Sequence, residues 1–174
     1  MHPAGCTSLA AVVTVAVVSD THLPRGARRL PEECLDRCRA ADLILHGGDF
    51  SALSVLEQLR ALGPPVEAVY GNADDAALRA LLPKELVVEV EGVRLGVKHS
   101  PGPAAGREER LLARFSGCRA VIFGHTHLPV VEQHDGIWLL NPGSPTERRR
   151  GPVHAMLVLE IAAGEIRPEL VRLP

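Results

Sequence analysis

The sequence predicts an α/β fold in which two β-sheets pack together with helices outside. Three observations carry this expectation. The N-terminal two-thirds alternates short apolar runs with amphipathic segments, the pattern of strand–helix units. After Pro83 the texture changes to closely spaced strands separated by glycine turns. The length of 174 residues, 46% of them apolar, suits one ordinary domain with a substantial core. No repeat, low-complexity tract or long linker divides the chain, so residues 1–174 read as a single domain.

Val12–Val18 is a continuous β-branched run, as in a strand buried on both faces. Leu30–Ala40 reads as a helix opened by Pro31, with Glu32 and Glu33 favouring its positive end. Strand Asp42–His46, helix Ser51–Ala61 with Ser51 as N-cap, strand Val66–Tyr70 and a short helix Asp74–Leu82 follow. Leu86–Val90 and Val93–Lys98 flank Glu91-Gly92 as a hairpin, and helix Ala105–Phe115 and strand Ala120–Phe123 come next. The remainder, Pro129–Gln133, Gly136–Leu140, Val153–Ile161 and Glu165–Leu173, reads as a run of antiparallel strands.

Composition excludes several classes. A formal net charge of −2 argues against a general nucleic-acid or membrane-surface binder, since both need a basic excess. Only Lys84 and Lys98 are lysines; the other basic residues are arginines, a bias that says little about chemistry by itself. Aromatic residues are 3% of the chain, so Leu, Val, Ile and Ala must build the core. The four cysteines (Cys6, Cys34, Cys38, Cys118) lack CxxC spacing and read as free thiols in a reducing compartment. The run Leu9–Val18 is too short to span a bilayer. No Lys or Arg precedes it and no cleavage region separates it from Ser19-Asp20-Thr21-His22, so it reads as the first strand of a cytoplasmic protein rather than a signal peptide. Eight histidines form the one suggestive excess.

Their positions matter more than their number. Asp20-Thr21-His22 follows the first strand, and i, i+2 spacing puts both side chains on one side if the chain stays extended. Gly47-Gly48-Asp49 follows the second strand and Gly71-Asn72 the third. His99 follows Val93–Lys98, and Gly124-His125-Thr126-His127 follows Ala120–Phe123. Each fragment alone is commonplace, and turn or surface roles outweigh ligation for any one of them. Together, five strand ends deliver two carboxylates, one amide and four imidazoles to the rim where α/β sheets gather ligands. That mixed O/N set suits a borderline divalent metal.

These motifs resemble the calcineurin-like metallophosphoesterases, specifically their small prokaryotic phosphodiesterase branch. The resemblance runs from VVSDTH at 17–22 through HGGD at 46–49, GNADD at 71–75 and GHTH at 124–127 to LNPGSPTERRR at 140–150. It implies a four-layer α/β sandwich, two mixed β-sheets flanked by helices. It also implies that Asp20, His22, Asp49 and His127 hold one metal, with Asp49 bridging to a second completed by Asn72, His99 and His125. Asp49, Asn72 and His99 would then stand nearest the reaction, hydrolysis of a small phosphodiester. The cofactor expected is a pair of divalent ions, Mn²⁺ leading, with Ni²⁺, Fe, Co²⁺ or Zn²⁺ compatible. Two ions contribute +4 and Asp20 with Asp49 returns −2; a bridging hydroxide leaves roughly +1, suited to an anionic phosphoester. Such a reaction needs no protein nucleophile.

The sequence departs from the family pattern after Asn72. Many relatives place a histidine there to protonate the leaving group; this chain has Ala73, which cannot, and that favours diesters with good leaving groups or acid catalysis by water. Ser100 stands where relatives commonly have glycine. Asp74 is expected to cap the following helix or to support the site from behind, and His46 to donate a hydrogen bond to a ligand carboxylate or pack inward with a structural partner. Arg25, Arg28 and Arg29, and Arg148 to Arg150, lie in loops where Arg25 and Arg148 could reach substrate phosphate; solvated loops are the plainer reading for most of the six. Asn141-Pro142-Gly143-Ser144 reads as a supporting turn and Trp138 as packing, while His2, His134 and His154 carry no motif.

Residues 1–11 read as an extension ahead of the core, with Val13 a candidate alternative start, because relatives begin just before their first strand. Phosphomonoesterase activity is the nearest rival function. A non-catalytic interaction scaffold, as in a eukaryotic retromer subunit of similar fold, is the rival from another class. An assembly of identical chains is compatible with any of these.

Overall fold

The computed structural model describes residues 11–174; His2, Cys6 and most of the expected N-terminal extension lie outside the described residues. The elements run β1 (Val13–Val18), α1 (Glu32–Ala40), β2 (Leu43–His46), α2 (Leu53–Arg60), β3 (Val66–Ala68), α3 (Ala76–Leu81), β4 (Glu85–Val90), β5 (Val93–Lys98), α4 (Arg107–Arg114), β6 (Ala120–Ile122), β7 (Val130–His134), β8 (Ile137–Asn141), β9 (His154–Ala162) and β10 (Glu165–Leu173). They form two mixed five-stranded sheets, ordered β10-β9-β1-β2-β3 and β4-β5-β6-β8-β7.

Period-two alternation along each strand sorts the apolar residues into three cores. Val15 and Val17 of β1 face the second sheet with Leu157, Leu159 and Ile161, meeting Leu95, Val97, Ala120, Ile122 and Leu140. Ala16 and Val18 face the other way, against Cys34 and Cys38 of α1 and Leu56 and Leu59 of α2. On the far face of the second sheet Val121, Phe123 and Leu139 cover Leu111 and Phe115. The result is helix, sheet, sheet, helix: the four-layer sandwich. Gly96 of β5 lies under the Phe115 ring, where a Cβ would overlap it.

The final strands differ from the expected antiparallel run. β6 pairs parallel with both β5 and β8, while β9 and β10 return to the first sheet, β9 running antiparallel to β1. The reason lies in β1: a strand buried on both faces needs its two ladder edges covered, and β2 covers only one.

Helix starts also shift. α1 begins at Glu32 because Pro31 holds an extended backbone (ψ 143°) and disfavours helix at Leu30. Ser51 does not cap α2. It adopts φ 83° and bridges to Leu23 instead, leaving Ala52 at the N-cap. Asp75, not Asp74, caps α3 by accepting from Leu78 N at 2.9 Å. No helix among the described residues is long and apolar enough to cross a membrane.

Candidate metal centre

The ends of β1, β2, β3, β5 and β6 converge at one rim. The chain past β1 is not extended: Asp20 and His22 have φ of 56° and 45°, and His125 and His127 past β6 have 71° and 59°. Asp49, past β2, has φ 60°. Left-handed backbone costs an L residue about 1–2 kcal/mol, least for Asp, Asn and His among side-chain-bearing residues. The surroundings enforce it here. Asp20 N donates to Gly48 O and His22 N to Asp49 O, at 2.9 and 3.0 Å, lacing the first two loops together beyond their strands. Ser144 Oγ and Thr146 Oγ1 donate to the carbonyls of Asp20 and Thr21 at 2.7 and 2.6 Å.

Two buried groups of donor atoms result: Asp20, His22 and His127, and Asp20, Asp49 and His99, each with its atoms within 4.8 Å of one another. His127 Nε2 lies 3.2 Å from Asp20 Oδ1 and 3.2 Å from His22 Nε2. Asp49 Oδ2 lies between the groups, 3.6 Å from His22 Nε2 and 3.2 Å from His99 Nε2. Asn72 Oδ1 sits 3.2 Å from His99 Nε2 and 2.8 Å from His125 Nδ1, at the exposed mouth. All seven sequence-predicted ligands therefore meet at one rim, with Asp20 common to both buried groups.

Close approach explains two of the glycines. A Cβ on Gly71 would overlap the Asp49 carboxylate, and one on Gly124 would overlap Ser19 and crowd Asp20.

Hydrogen bonds orient the imidazoles. A carbonyl only accepts, so His99 Nδ1 donates to Gly47 O at 2.8 Å and His127 Nδ1 to Glu147 O at 2.5 Å. Both rings thus turn Nε2 inward as a lone pair when neutral. Facing lone pairs and carboxylate oxygens repel unless a proton or cation lies among them. Burial would raise the Asp20 and Asp49 carboxyls, but hydrogen bonds and charge from His127 and His99, with Ser19 Oγ on Asp20 and Ala73 N on Asp49, hold both below the ordinary range. Burial would lower His99, yet Asp49 and Asp20 outweigh it and raise its pKa. Burial lowers His22, partly offset by the same carboxylates. The hard oxygens and borderline nitrogens converging here fit a divalent transition ion.

The structure decides between the alternatives open for His46 and Asp74 and adds Ser19 and Thr146 to the supporting residues. His46 does not reach a carboxylate. Its Nδ1 accepts from Gly48 N at 3.0 Å, so its Nε2 faces Thr21 Oγ1 at 3.2 Å as donor, while its ring stacks on Phe50. Burial depresses its pKa to about 3. Asp74 accepts from Asp49 N, Gly71 N and Ser51 N at 3.1, 2.7 and 2.8 Å, clamping the loop that presents Asp49. Ser19 and Thr146 escaped notice because a lone hydroxyl carries no signal in sequence. Asn141 does support the site, donating to Gly124 O and Thr126 Oγ1. Arg25 is paired with Glu147 at 3.3 Å, together with Arg28 at 3.5 Å and Arg149 at 3.7 Å, whereas Arg148 is exposed.

A fold of this kind, with a rim of buried carboxylates and imidazoles at strand ends, matches the calcineurin-like phosphoesterase superfamily domain over residues 13–164. The chain belongs to that superfamily. It is 36% identical over 160 residues to a probable metallophosphoesterase of Methanothermobacter thermautotrophicus, covering 91% of each chain. It is 29% identical over 145 residues to a phosphodiesterase of Methanocaldococcus jannaschii, covering 74% of this chain and 82% of that one. The fold also matches wild-type Vps29 of Entamoeba histolytica complexed with Zn²⁺, with TM-score 0.73 and 23% identity over 92% of this chain and 99% of that one. The family match and the named relatives support a metal-binding hydrolase, and the Vps29 structure shows the shared fold.

Asp74→Ala strands two buried N–H groups, of Asp49 and Gly71, and the half-buried one of Ser51, and should cost about 3 kcal/mol or more in urea unfolding. Asp74→Asn, which keeps one acceptor, should fold yet bind Mn²⁺ about 10–100-fold more weakly by calorimetry. For His46 the unfolded state binds the extra proton between pH 6.5 and about 3, so its contribution is full above that window and is lost as pH falls through it. On lowering pH from about 7.5 to about 5.5, His46→Asn should lose about 1 kcal/mol less stability than the unsubstituted protein.

Proposed function

We propose that the chain is a dinuclear metal-dependent phosphodiesterase acting on a small phosphodiester, with Mn²⁺ the leading metal. The observation that carries this reading is the convergence of carboxylate and imidazole donor atoms in two adjoining groups with the Asp49 carboxylate between them. Asp20, His22, Asp49 and His127 would hold one ion, and Asp49, Asn72, His99 and His125 the other. When bound, two such ions supply Lewis acidity toward the phosphoester oxygens and acidify water at neutral pH.

The chain's own residues do the positioning. Ala73 N holds Asp49 Oδ1 at 2.7 Å, leaving Oδ2 turned toward His22 and His99. Asn72 and His125 stand at the open side of the buried group, where substrate enters. Ala73 has no proton to give to a leaving group. Diesters of acidic alcohols are therefore favoured over alkyl monoesters. The relative named phosphodiesterase agrees with this preference. A reducing, cytoplasmic setting belongs to the same reading, supported by the free thiols of Cys34, Cys38 and Cys118.

Chelated protein should be inert toward bis(p-nitrophenyl) phosphate and regain turnover with Mn²⁺, with p-nitrophenyl phosphate turned over more slowly. Asp49→Asn should remove at least about 99% of that turnover. Unchanged turnover in Asp49→Asn would sink the mechanism, and a protein that binds no divalent ion and turns over neither ester would be a scaffold.

A further inference from the structure

Beside the candidate metal centre lies a cavity of about 520 Å³, within the range of roughly 300–1,000 Å³ common for small-molecule sites. Asn72 and His99 form the wall it shares with the centre, and Arg79, Lys84, Lys98 and Arg110 line the rest together with Tyr70. Both lysines of the chain are therefore here, in a protein whose formal net charge is −2. The arginines are braced rather than neutralised. Arg79 donates to the carbonyls of Asp74 and Asn72 at 2.8 and 2.6 Å and lies over the Tyr70 ring, while Arg110 donates to the carbonyls of Ala105 and Pro103. Among the described residues none of the four cations forms an ion pair. The acidic strand partner of Lys98 is Glu85, whose carboxylate is held by Arg114 at 2.7 and 3.0 Å and is drawn on only through space by Lys98 and Lys84.

Four like charges around one hollow repel each other, and a bound anion relieves that repulsion. Pre-braced guanidiniums and flexible ammoniums are the groups that recognise phosphate. We propose that this cavity binds a second phosphate carried by the substrate, so that the physiological ester is one with an additional phosphate within reach of the hydrolysed one. The position of the first phosphate rests on the phosphodiesterase reading above; the second site does not depend on turnover.

Binding tests it directly on Mn²⁺-loaded protein. Thymidine 3′,5′-bisphosphate should bind at least about tenfold more tightly than thymidine 5′-monophosphate by calorimetry, as two or more charge-assisted contacts imply. In Lys84→Ala/Lys98→Ala the preference should shrink to about twofold, and in Lys84→Arg/Lys98→Arg it should persist. Fructose 1,6-bisphosphate against fructose 6-phosphate separates the source. A preference in both pairs means that phosphate alone is read; a preference in the nucleotide pair alone means that the nucleoside helps to place it. Equal binding in both pairs, or a preference that survives Lys84→Ala/Lys98→Ala intact, overturns the proposal. Turnover of bis(p-nitrophenyl) phosphate in the same preparations reports separately on the phosphodiesterase reading.

Discussion

Asp20 and Asp49 are buried carboxylates faced by imidazoles and backbone N–H groups rather than by arginine or lysine. Removing a carboxylate from water costs several kcal/mol, and neutral donors recover only part of it. The rest of the site answers that deficit. Ser19 and the amide of His125 bond to Asp20, Ala73 N bonds to Asp49, His22 and His99 lie beside both, and His127 lies beside Asp20. Protons on the imidazoles can balance the charge, and divalent cations can balance it better, because each brings two charges to atoms already aimed inward. A network arranged this way suits a divalent cation.

The backbone has to accept an unusual shape to achieve this. Five of the predicted ligands sit in left-handed conformation, and the loops carrying them are stitched to one another beyond the strands they leave. Asp74 and His46 act on those loops without touching a candidate ligand's donor atom: one collects three amides around Asp49, the other pins Gly48 and Thr21. Glu147 joins both sides, its carbonyl orienting His127 while its carboxylate gathers Arg25, Arg28 and Arg149. The arginines near the GSPTERRR segment thus include several whose charge is spent on holding loops.

Much of this was legible in the sequence. Strands and helices announced themselves through β-branched runs and amphipathic spacing, and the seven ligand types stood at strand ends because that is where an α/β sheet exposes side chains. The destination of β9 and β10 was not legible, since an antiparallel pair looks the same whichever sheet it joins; only the bare edge of β1 decides it. Asp74 and Asp75 are adjacent and equally able to cap a helix, so which one turns inward depends on the amides of a loop distant in sequence. Of the two readings open for His46, a bond to a ligand carboxylate or an inward packing with a structural partner, the structure holds the second, because the Gly48 amide and the Thr21 hydroxyl meet its two nitrogens. The cationic cavity has no signature in the sequence, because Arg79, Lys84, Lys98 and Arg110 are spread along the chain and share no motif.

The two-ion arrangement around Asp49 is tested most directly by anomalous diffraction from crystals grown with Mn²⁺. Two peaks about 3.5–4 Å apart, one beside Asp20, His22 and His127 and the other beside Asn72, His99 and His125, with Asp49 between them, are expected. A single peak, or peaks away from Asp49, would contradict a dinuclear centre.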